Sequence, residues 1–331
     1  MQDLDNQVGN QDNWAKYITN VEMRDQQFLS WLPVGDKPVN PLYNYQADKF
    51  RTPKLNSHVD GKPWTEFENA GDGRGNLKSL VQWLSAAVSV SKLTQDVTDP
   101  AGVADELARE IPKKLKEMAT DLEANCLDDH DGREDNKVSG YLTRSVGSWV
   151  NNSAQALYPV PSDFRTPAAS ISATASGSVN ENDFRNIFES IASTTKSNEA
   201  ITGHLGLKLK RKFSDFQFYL PSSTSTQASG VHFNQNGAAK AILRAVDTYD
   251  SDCGQVDLML NYWLANITGT AVVQQYRGYF LHRSKWEMRW NQKPRVYKPE
   301  FKGGSYEAAM DCISMLVCKN PKGEGKYAPT A

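Results

Sequence analysis

Three observations in this 331-residue chain predict an α+β fold. Residues 99–127 carry apolar side chains at steps of four and three, the spacing of one long amphipathic helix. A shorter stretch with helical spacing follows residue 182. From residue 231 onward the chain alternates between apolar and polar residues or runs apolar, with turn residues between segments, as strands do. Helices in the middle of the chain and strands toward its end are the basis of this class.

The composition excludes several classes of protein. A net charge of −2 provides no strong general attraction to nucleic acid. No run of eighteen apolar residues is present, so we predict no membrane span. Residues 1–13 are acidic and polar, unlike a signal peptide. Four cysteines are too few for a disulfide framework and fit a reduced, cytosolic setting.

The first thirty residues form a polar arm that lacks a core pattern. Its aromatic residues Trp14 and Phe28 favour docking on another surface over disorder. Such an arm has too little core of its own to fold alone, so we expect it to be ordered by docking on another surface.

Residues 31–75 are punctuated by Pro and Gly. The runs at 42–50 and 52–59 are compatible with two strands of a long hairpin. So many residues without a core pattern predict an extended, functional excursion. In residues 76–97, which follow, the apolar spacing fits a helix at first and a strand later, and both assignments stay open.

The helix predicted for 99–127 has a clear start. Asp99 is a good N-cap, and Pro100 is well placed at the first helical position. Pro112 lies inside the pattern, where it removes a backbone hydrogen bond, so we expect a bend. The predicted apolar stripe consists of Val103, Leu107, Ile111, Leu115, Met118 and Leu122.

The second half of the chain predicts one more clear helix and several strands. Asn182 can cap a helix whose buried face carries Phe184, Ile187, Phe188 and Ile191. Residues 283–290 alternate, with Trp286, Met288 and Trp290 on one side and charged residues on the other. The remaining predicted elements are a strand at 201–209, a short helix or turn at 210–216, strands at 241–249 and 254–264, a last strand at 306–320, and a polar tail at 320–331.

No catalytic constellation is apparent, so an enzyme is not predicted. Gly71–Gly75 (GDGRG) is interpreted as a turn, because no strand precedes it and the Lys–Ser/Thr pair of a phosphate loop is missing. The acidic run at 128–135 lacks the ligand alternation of a calcium loop and is interpreted as a solvated turn, although a hydrolase using Asp128 and Asp131 is a rival hypothesis. Cys312 and Cys318 lack two further ligands for zinc and are interpreted as buried thiols. No cofactor or metal is predicted.

Two basic stretches leave an alternative open. Residues 276–302 carry eight Lys or Arg against two Glu, with aromatic residues interleaved. This pattern fits a nucleic-acid-binding module that stacks bases. It also fits a strand with one face in a core and a charged face toward an acidic partner, which the alternation in 283–290 favours. The second basic stretch consists of Lys208, Lys210, Arg211 and Lys212.

Four stretches, in this order and spacing, resemble one family. ITNVEMRDQQFLSWLP with YNYQADKFRTPKLNSHVDGKPW is similar to an N-terminal arm leading into an E-loop. VSKLTQDV with GVADELAREIPKKLKEMATDLEANCL is similar to a peripheral-domain strand and spine helix. YDSDCGQVDLMLNYWL, and YRGYFLHRSKWEMRW with YEAAMDCISMLVCKNPKGEGK, are similar to an axial strand and the closing strands. The family is the tailed-bacteriophage major capsid proteins of the Hong Kong 97 fold, in a branch with a short N-terminal arm and no fused scaffold.

The resemblance implies a division of the chain. The N-terminal arm would be residues 1–30 and the E-loop 31–75. The peripheral domain would comprise 76–165 and 277–318, with the spine helix at about 99–127. The axial domain would comprise 166–276 and 319–331.

The resemblance also implies function and partners. The chain would be a structural, self-assembling subunit of the virion, forming pentamers and hexamers of an icosahedral head around double-stranded DNA. It would assemble in the host cytoplasm with a portal and with a separate scaffold or decoration protein, and it would touch no membrane. The residues expected at contacts between subunits are Trp14, Phe28, Trp31, Tyr43, Tyr45, Asp48, Lys49, Arg51 and Lys54.

Overall fold

The computed structural model describes residues 22–64, 67, 73–97, 105–175, 178–216, 246–265, 274–299 and 304–329. Six α-helices occur in these ranges: α1 (Gln27–Trp31), α2 (Lys92–Val97), α3 (Glu106–Leu127), α4 (Val146–Trp149), α5 (Glu181–Thr195) and α6 (Leu207–Phe216). Twelve strands occur there: β1 (Val34–Gly35), β2 (Leu42–Ala47), β3 (Gly75–Leu80), β4 (Gln82–Ser91), β5 (Ile171–Ser172), β6 (Ile201–Leu205), β7 (Thr248–Ser251), β8 (Gly254–Leu260), β9 (Gly278–Leu281), β10 (Trp286–Tyr297), β11 (Ser305–Cys318) and β12 (Gly325–Tyr327).

The chain divides into two compact units. One comprises residues 1–25, 84–120 and 294–312, and the other 26–83, 121–293 and 313–331. The long elements α3, β10 and β11 continue along the chain from one unit into the other. None of the helices in the described ranges is long and apolar enough to cross a membrane.

The larger unit contains a six-stranded sheet in the order β5-β12-β9-β6-β8-β7. Strand β6 pairs parallel with β8 and antiparallel with β9, so the centre of the sheet is mixed. Helices α5 and α6 contribute buried side chains to its core, where aromatic rings lie in edge contacts, for example Phe188 with Phe280 at a centroid distance of 4.9 Å. Burial of this apolar surface is the main stabilising contribution here.

Helix α5 shows how the local sequence sets an element. Its four predicted apolar residues are all buried. The helix begins two residues earlier than predicted, because the N-cap is Asn180 and not Asn182. Asn180 and Asp183 form a reciprocal capping box that satisfies the free N–H groups of the first turn.

Helix α3 is shorter at its start than the helix predicted for 99–127. The described helix begins at Glu106, where the Asp105 carboxylate accepts the Ala108 N–H at 2.8 Å and acts as the cap. Asp99, Pro100 and Val103 lie outside the described residues. Pro112 lies within the helix, as predicted, and the bend expected there stays a prediction.

The predicted hairpin exists, but its second strand was placed wrongly. Strand β2 pairs antiparallel with β3, from Leu42 opposite Leu80 to Ala47 opposite Gly75. The run at 52–59 contains no strand. The open assignment of residues 76–97 resolves into β3, β4 and then α2. The apolar side chains of β3 face a core, which is why their spacing was hard to assign by period alone.

The remaining four-stranded sheet has the order β1-β10-β11-β4. The alternation in 283–290 predicted a strand from residue 283, but residues Arg283–Lys285 form a 3-10 turn and β10 begins at Trp286. Strand β11 confirms the predicted last strand, and both of its cysteines are buried and free.

The tail predicted as polar is in fact part of the core. Strand β12 pairs with both β9 and β5, and Glu324 and Tyr327 have no exposed surface. The Lys326 ammonium donates to the Gly147 carbonyl at 2.9 Å and pairs with Asp129 at 3.2 Å. The polar residues of this segment predicted an exposed tail. They are buried because partners far away in the sequence supply their hydrogen bonds and countercharges on folding.

Candidate assembly surface

The loop between β2 and β3 exposes large apolar side chains. Phe50 and Leu55 are as exposed as in an extended chain, at 102% and 104%. Several large apolar side chains exposed on one loop exceed the scattered single residues that are normal on a monomer, and they favour an interaction site. The exposed apolar loop residues, called the loop set below, are Phe50, Leu55, Val59, Trp64 and Phe67.

The loop has some internal order. The His58 and Trp64 rings stack at a centroid distance of 4.5 Å with their planes 9° apart. The His58 Nε2 atom lies 2.6 Å from the Lys62 carbonyl oxygen. Trp64 nevertheless remains 72% exposed, so the stack presents an aromatic face to the outside.

Charged residues flank the loop where it leaves the strands. Asp48 pairs with Arg74 across the hairpin at 3.3 Å, and the Lys49 ammonium pairs with Asp163. Both pairs are exposed, so each contributes little to stability. Of the contact residues predicted from the sequence, Asp48, Lys49, Arg51 and Lys54 are exposed.

The base of the hairpin is held firmly by its own chain. Tyr43 and Tyr45 stack at 5.4 Å, and the Arg289 guanidinium lies 4.2 Å from the Tyr43 ring centre. The Tyr45 hydroxyl donates to the Cys318 carbonyl, and burial raises the pKa of this phenol. Tyr43 and Tyr45 are therefore largely committed to contacts inside the subunit, with only part of each ring exposed.

A second contact fixes the other strand of the hairpin. A Cβ atom on Gly75 would lie 2.5 Å from the Phe164 ring, so only glycine permits this approach. The Lys78 ammonium lies 4.6 Å from the Tyr158 ring centre, and the Tyr158 hydroxyl donates to Glu134 at 2.5 Å. The base of the hairpin is thus rigid while its loop is exposed.

Two of the predicted contact residues are buried within the subunit. Phe28 has no exposed surface and Trp31 only 7%, because α1 packs against its own subunit. A side chain without exposed area has none left to bury against a neighbour. Trp14 lies outside the described residues, so its predicted role is not addressed by the fold.

The stripe on α3 is buried in a gradient along the helix. Met118 and Leu122 are buried, at 3% and 2% exposure. Leu107, Ile111 and Leu115 are half-buried. The C-terminal half of the helix therefore carries its tightest core contacts.

The acidic turn at 128–135 is held by structural contacts. Asp131 accepts from the Arg144 guanidinium at 2.8 Å and from the Leu157 N–H at 3.1 Å, and Asp128 is 6% exposed. In the described ranges, no group of three or more His, Cys, Asp or Glu side chains is placed to hold a metal ion. The expected exposed turn is in part a buried polar network.

The arginines of the basic stretch at 276–302 form hydrogen bonds and ion pairs with groups of the same subunit. Arg283 donates to the Trp31 carbonyl at 2.9 Å, and Arg289 pairs with the buried carboxylate of Glu287. Arg295 pairs with Asp311 at 2.9 Å, and Arg277 lies 4.0 Å from Asp129. A surface that binds phosphates needs uncommitted cations, so this arrangement favours the interpretation as a packed strand.

A family model for the SU10 major capsid protein matches residues 3–330. The chain belongs to the SU10 major capsid protein family. It is therefore a structural protein of the bacteriophage virion that forms the icosahedral head, as the resemblance predicted. A search of curated proteins returns no significant match.

Solved capsids confirm the predicted Hong Kong 97-type α+β fold of this capsid protein. The capsid of cyanophage P-SCSP1u matches with a TM-score of 0.61 at 8% identity, over 97% of this chain and 93% of the other. Gordonia phage Cozz matches with 0.58 at 12%, over 97% and 92%. The capsid of a native GTA particle matches with 0.58 at 13%, over 98% and 96%.

None of the five residues of the loop set of this capsid protein was among the contact residues predicted from the sequence. Its residues follow no period, so no amphipathic pattern identifies them. The available signal was the presence of large apolar residues among Pro and Gly, in a stretch too long for an ordinary connection. The contacts that fix the hairpin base, such as Gly75 on Phe164, join residues far apart in sequence and left no local signal.

Proposed function

We propose that the loop set covers neighbouring subunits in pentamers and hexamers of the head, which enclose double-stranded DNA. The observation that carries this proposal is the exposure of five large apolar side chains on a loop whose base is rigid. Burying them against a second copy would recover roughly 1.5–3 kcal/mol for each side chain that becomes fully covered. Asp48, Lys49, Arg51 and Lys54 would form the polar edge of the same contact.

The near-neutral charge supports a coat that encloses DNA without sequence-specific binding. A net charge of −2 leaves no general excess of cations to neutralise phosphates. On this proposal the subunit has no enzymatic activity, assembles in the host cytoplasm, and meets a portal and a separate scaffold or decoration protein.

We also propose a division into peripheral and axial parts. The axial part, 166–276 and 319–331, is supported by the six-stranded sheet, which contains β5, β6, β7, β8 and β12. Because β9 pairs with β6 and β12, we place Gly278–Leu281 with the axial part and not with 277–318. The remaining residues of 76–165 and 277–318 form the proposed peripheral part.

The test is a double substitution, Phe50→Ser with Leu55→Ser. Both side chains are fully exposed in the subunit, so the free energy of unfolding should change by no more than about 0.5 kcal/mol. Assembly should fail, and sedimentation velocity and negative-stain microscopy should show subunits or small oligomers where the wild type forms megadalton particles.

A matched control is Val138→Ser, since Val138 is 91% exposed and lies outside the loop, just after the acidic turn. This variant should assemble as the wild type does. Particles of normal size and yield from the Phe50/Leu55 variant would contradict the proposed role of the loop set.

A further inference from the structure

Helix α1 is held at both ends by charged side chains. At its start, the Glu123 carboxylate accepts the N–H groups of Gln27 and Phe28, both at 3.1 Å. At its end, the Arg283 guanidinium donates to the Trp31 carbonyl at 2.9 Å. A carboxylate at the N-terminus and a cation at the C-terminus match the helix dipole. Asn261 also donates to Glu123, at 2.8 Å, and keeps the carboxylate in position.

Beneath α1 lies a histidine that has no polar partner. His204 on β6 has no exposed surface. The Phe28 and Trp31 rings meet it edge-on, at centroid distances of 5.1 and 4.8 Å. Neither ring nitrogen has a hydrogen-bond partner among the described residues. Burying a polar ring without hydrogen bonds costs free energy, and the cost is much larger for the protonated imidazole than for the neutral one.

The surroundings of His204 offer no countercharge. The neighbouring strands place Met259 of β8 and Tyr279 of β9 beside it in register. The Tyr279 hydroxyl is directed to the Asp128 carbonyl, and burial raises the pKa of this phenol so that it stays neutral. On the other side are the apolar rings of α1. Glu123 and Arg283 are charged groups that contact α1 itself, and both are engaged with the backbone of that helix.

We propose that His204 makes the attachment of α1 acid-sensitive: a proton on its imidazole can be hydrated only when α1 lifts away. Helix α1 contains the last residues of the N-terminal arm (1–30), so its release would free the end of that arm. The inference does not depend on the role proposed for the loop set.

The sign of the pH dependence follows from the direction of each pKa shift. Burial lowers the pKa of His204 from 6.5 to about 3. The closed attachment is therefore favoured above pH 6.5 and loses stability as the pH falls toward 3. Burial raises the pKa of Glu123 above 4.5, so Glu123 acts in the opposite direction: its contribution is fully present below 4.5 and is lost as the pH rises. Replacing Glu123 isolates the response of His204.

The experiment measures hydrogen exchange at the amides of α1 by mass spectrometry, normalised to the intrinsic rate at each pH. In full-length Glu123→Gln, where the amide oxygen can still accept the α1 N–H groups, protection should fall about 30-fold between pH 7.5 and 5.0. The wild type should respond less steeply in this range. Peptides from α5, whose buried residues pack in a hydrophobic cluster that does not include His204, serve as the internal reference and should keep their protection.

The deciding comparison is Glu123→Gln with and without His204→Leu. Leucine has no titrating group, so the added substitution should abolish the loss of protection. If His204→Leu fails to fold, His204→Gln tests the same point with a neutral polar side chain. An unchanged acid response in either folded double variant, or constant protection of α1 in Glu123→Gln, would overturn the proposal. The exposed His58→Gln should leave the response as it is.

Discussion

At the scale of single residues, burial separates side chains that share one helical stripe. Leu122 is 2% exposed, whereas Leu115, two turns earlier on α3, is half-buried. The apolar period of the sequence does not distinguish the two leucines. The free energy of unfolding lost when either side chain is truncated to Ala depends on the contacts that it makes. The tightly buried residues near the end of α3 therefore matter most for subunit stability.

We expect Leu122→Ala to lower the free energy of unfolding by about 2–5 kcal/mol, because it leaves a cavity in a packed core. Leu115→Ala should cost less than about 2 kcal/mol, since part of that side chain already faces solvent. Urea unfolding of the unassembled subunit, followed by circular dichroism, measures both. Equal losses for the two variants would contradict the burial gradient along α3.

At the scale of elements, the hairpin combines a fixed base with an exposed loop. Gly75 approaches the Phe164 ring so closely that a Cβ would lie 2.5 Å away. The Tyr45 hydroxyl donates a hydrogen bond to the backbone carbonyl of Cys318 on β11. The direction of the loop is thus set by packing at the base. The two exposed ion pairs near the loop, at Asp48 and Lys49, are too weak to set it.

Gly75→Ala should therefore lower the free energy of unfolding by about 1–3 kcal/mol through overpacking against Phe164. Adding Phe164→Leu to this variant should restore part of the lost free energy of unfolding, because the smaller side chain removes the clash with the new Cβ atom. A double-mutant cycle by urea unfolding measures the coupling, which we expect to exceed about 0.5 kcal/mol. Additive effects would show that the ring does not limit the space at Gly75.

At the scale of the whole molecule, the subunit is incomplete on its own. Its core elements are well buried, but the loop set leaves apolar surface that a soluble monomer has no reason to expose. The proposed assembly resolves this imbalance, because a shell can cover the loop of each subunit with the surface of the next.

Trypsin offers a direct test at this scale. The loop carries exposed cleavage sites at Lys49, Arg51 and Lys54. Free subunits should be cut there within a digestion that leaves assembled particles intact, because burial between subunits removes access. Mass spectrometry identifies the cut sites. Equal cleavage in subunits and particles would mean that the loop stays exposed after assembly.

The sequence by itself determined the elements whose signal is local. The stripe on α3, the buried face of α5 and strand β11 all follow from apolar period, and the order of these parts indicated the capsid fold. The spacing of apolar residues predicts which face of an element is buried, because residues three or four apart in a helix, or two apart in a strand, lie on the same face. Boundaries were less accurate, as the caps at Asp105 and Asn180 show.

Only the tertiary structure decided what depends on distant partners. The tail around Tyr327 is a core strand, Phe28 is buried beneath its own helix, and β2 pairs with β3 and not with the run at 52–59. Each of these outcomes rests on contacts between residues far apart in the chain, which no local pattern records. The loop set remains exposed for the complementary reason: no part of the described chain covers it, and a second subunit is the partner we propose.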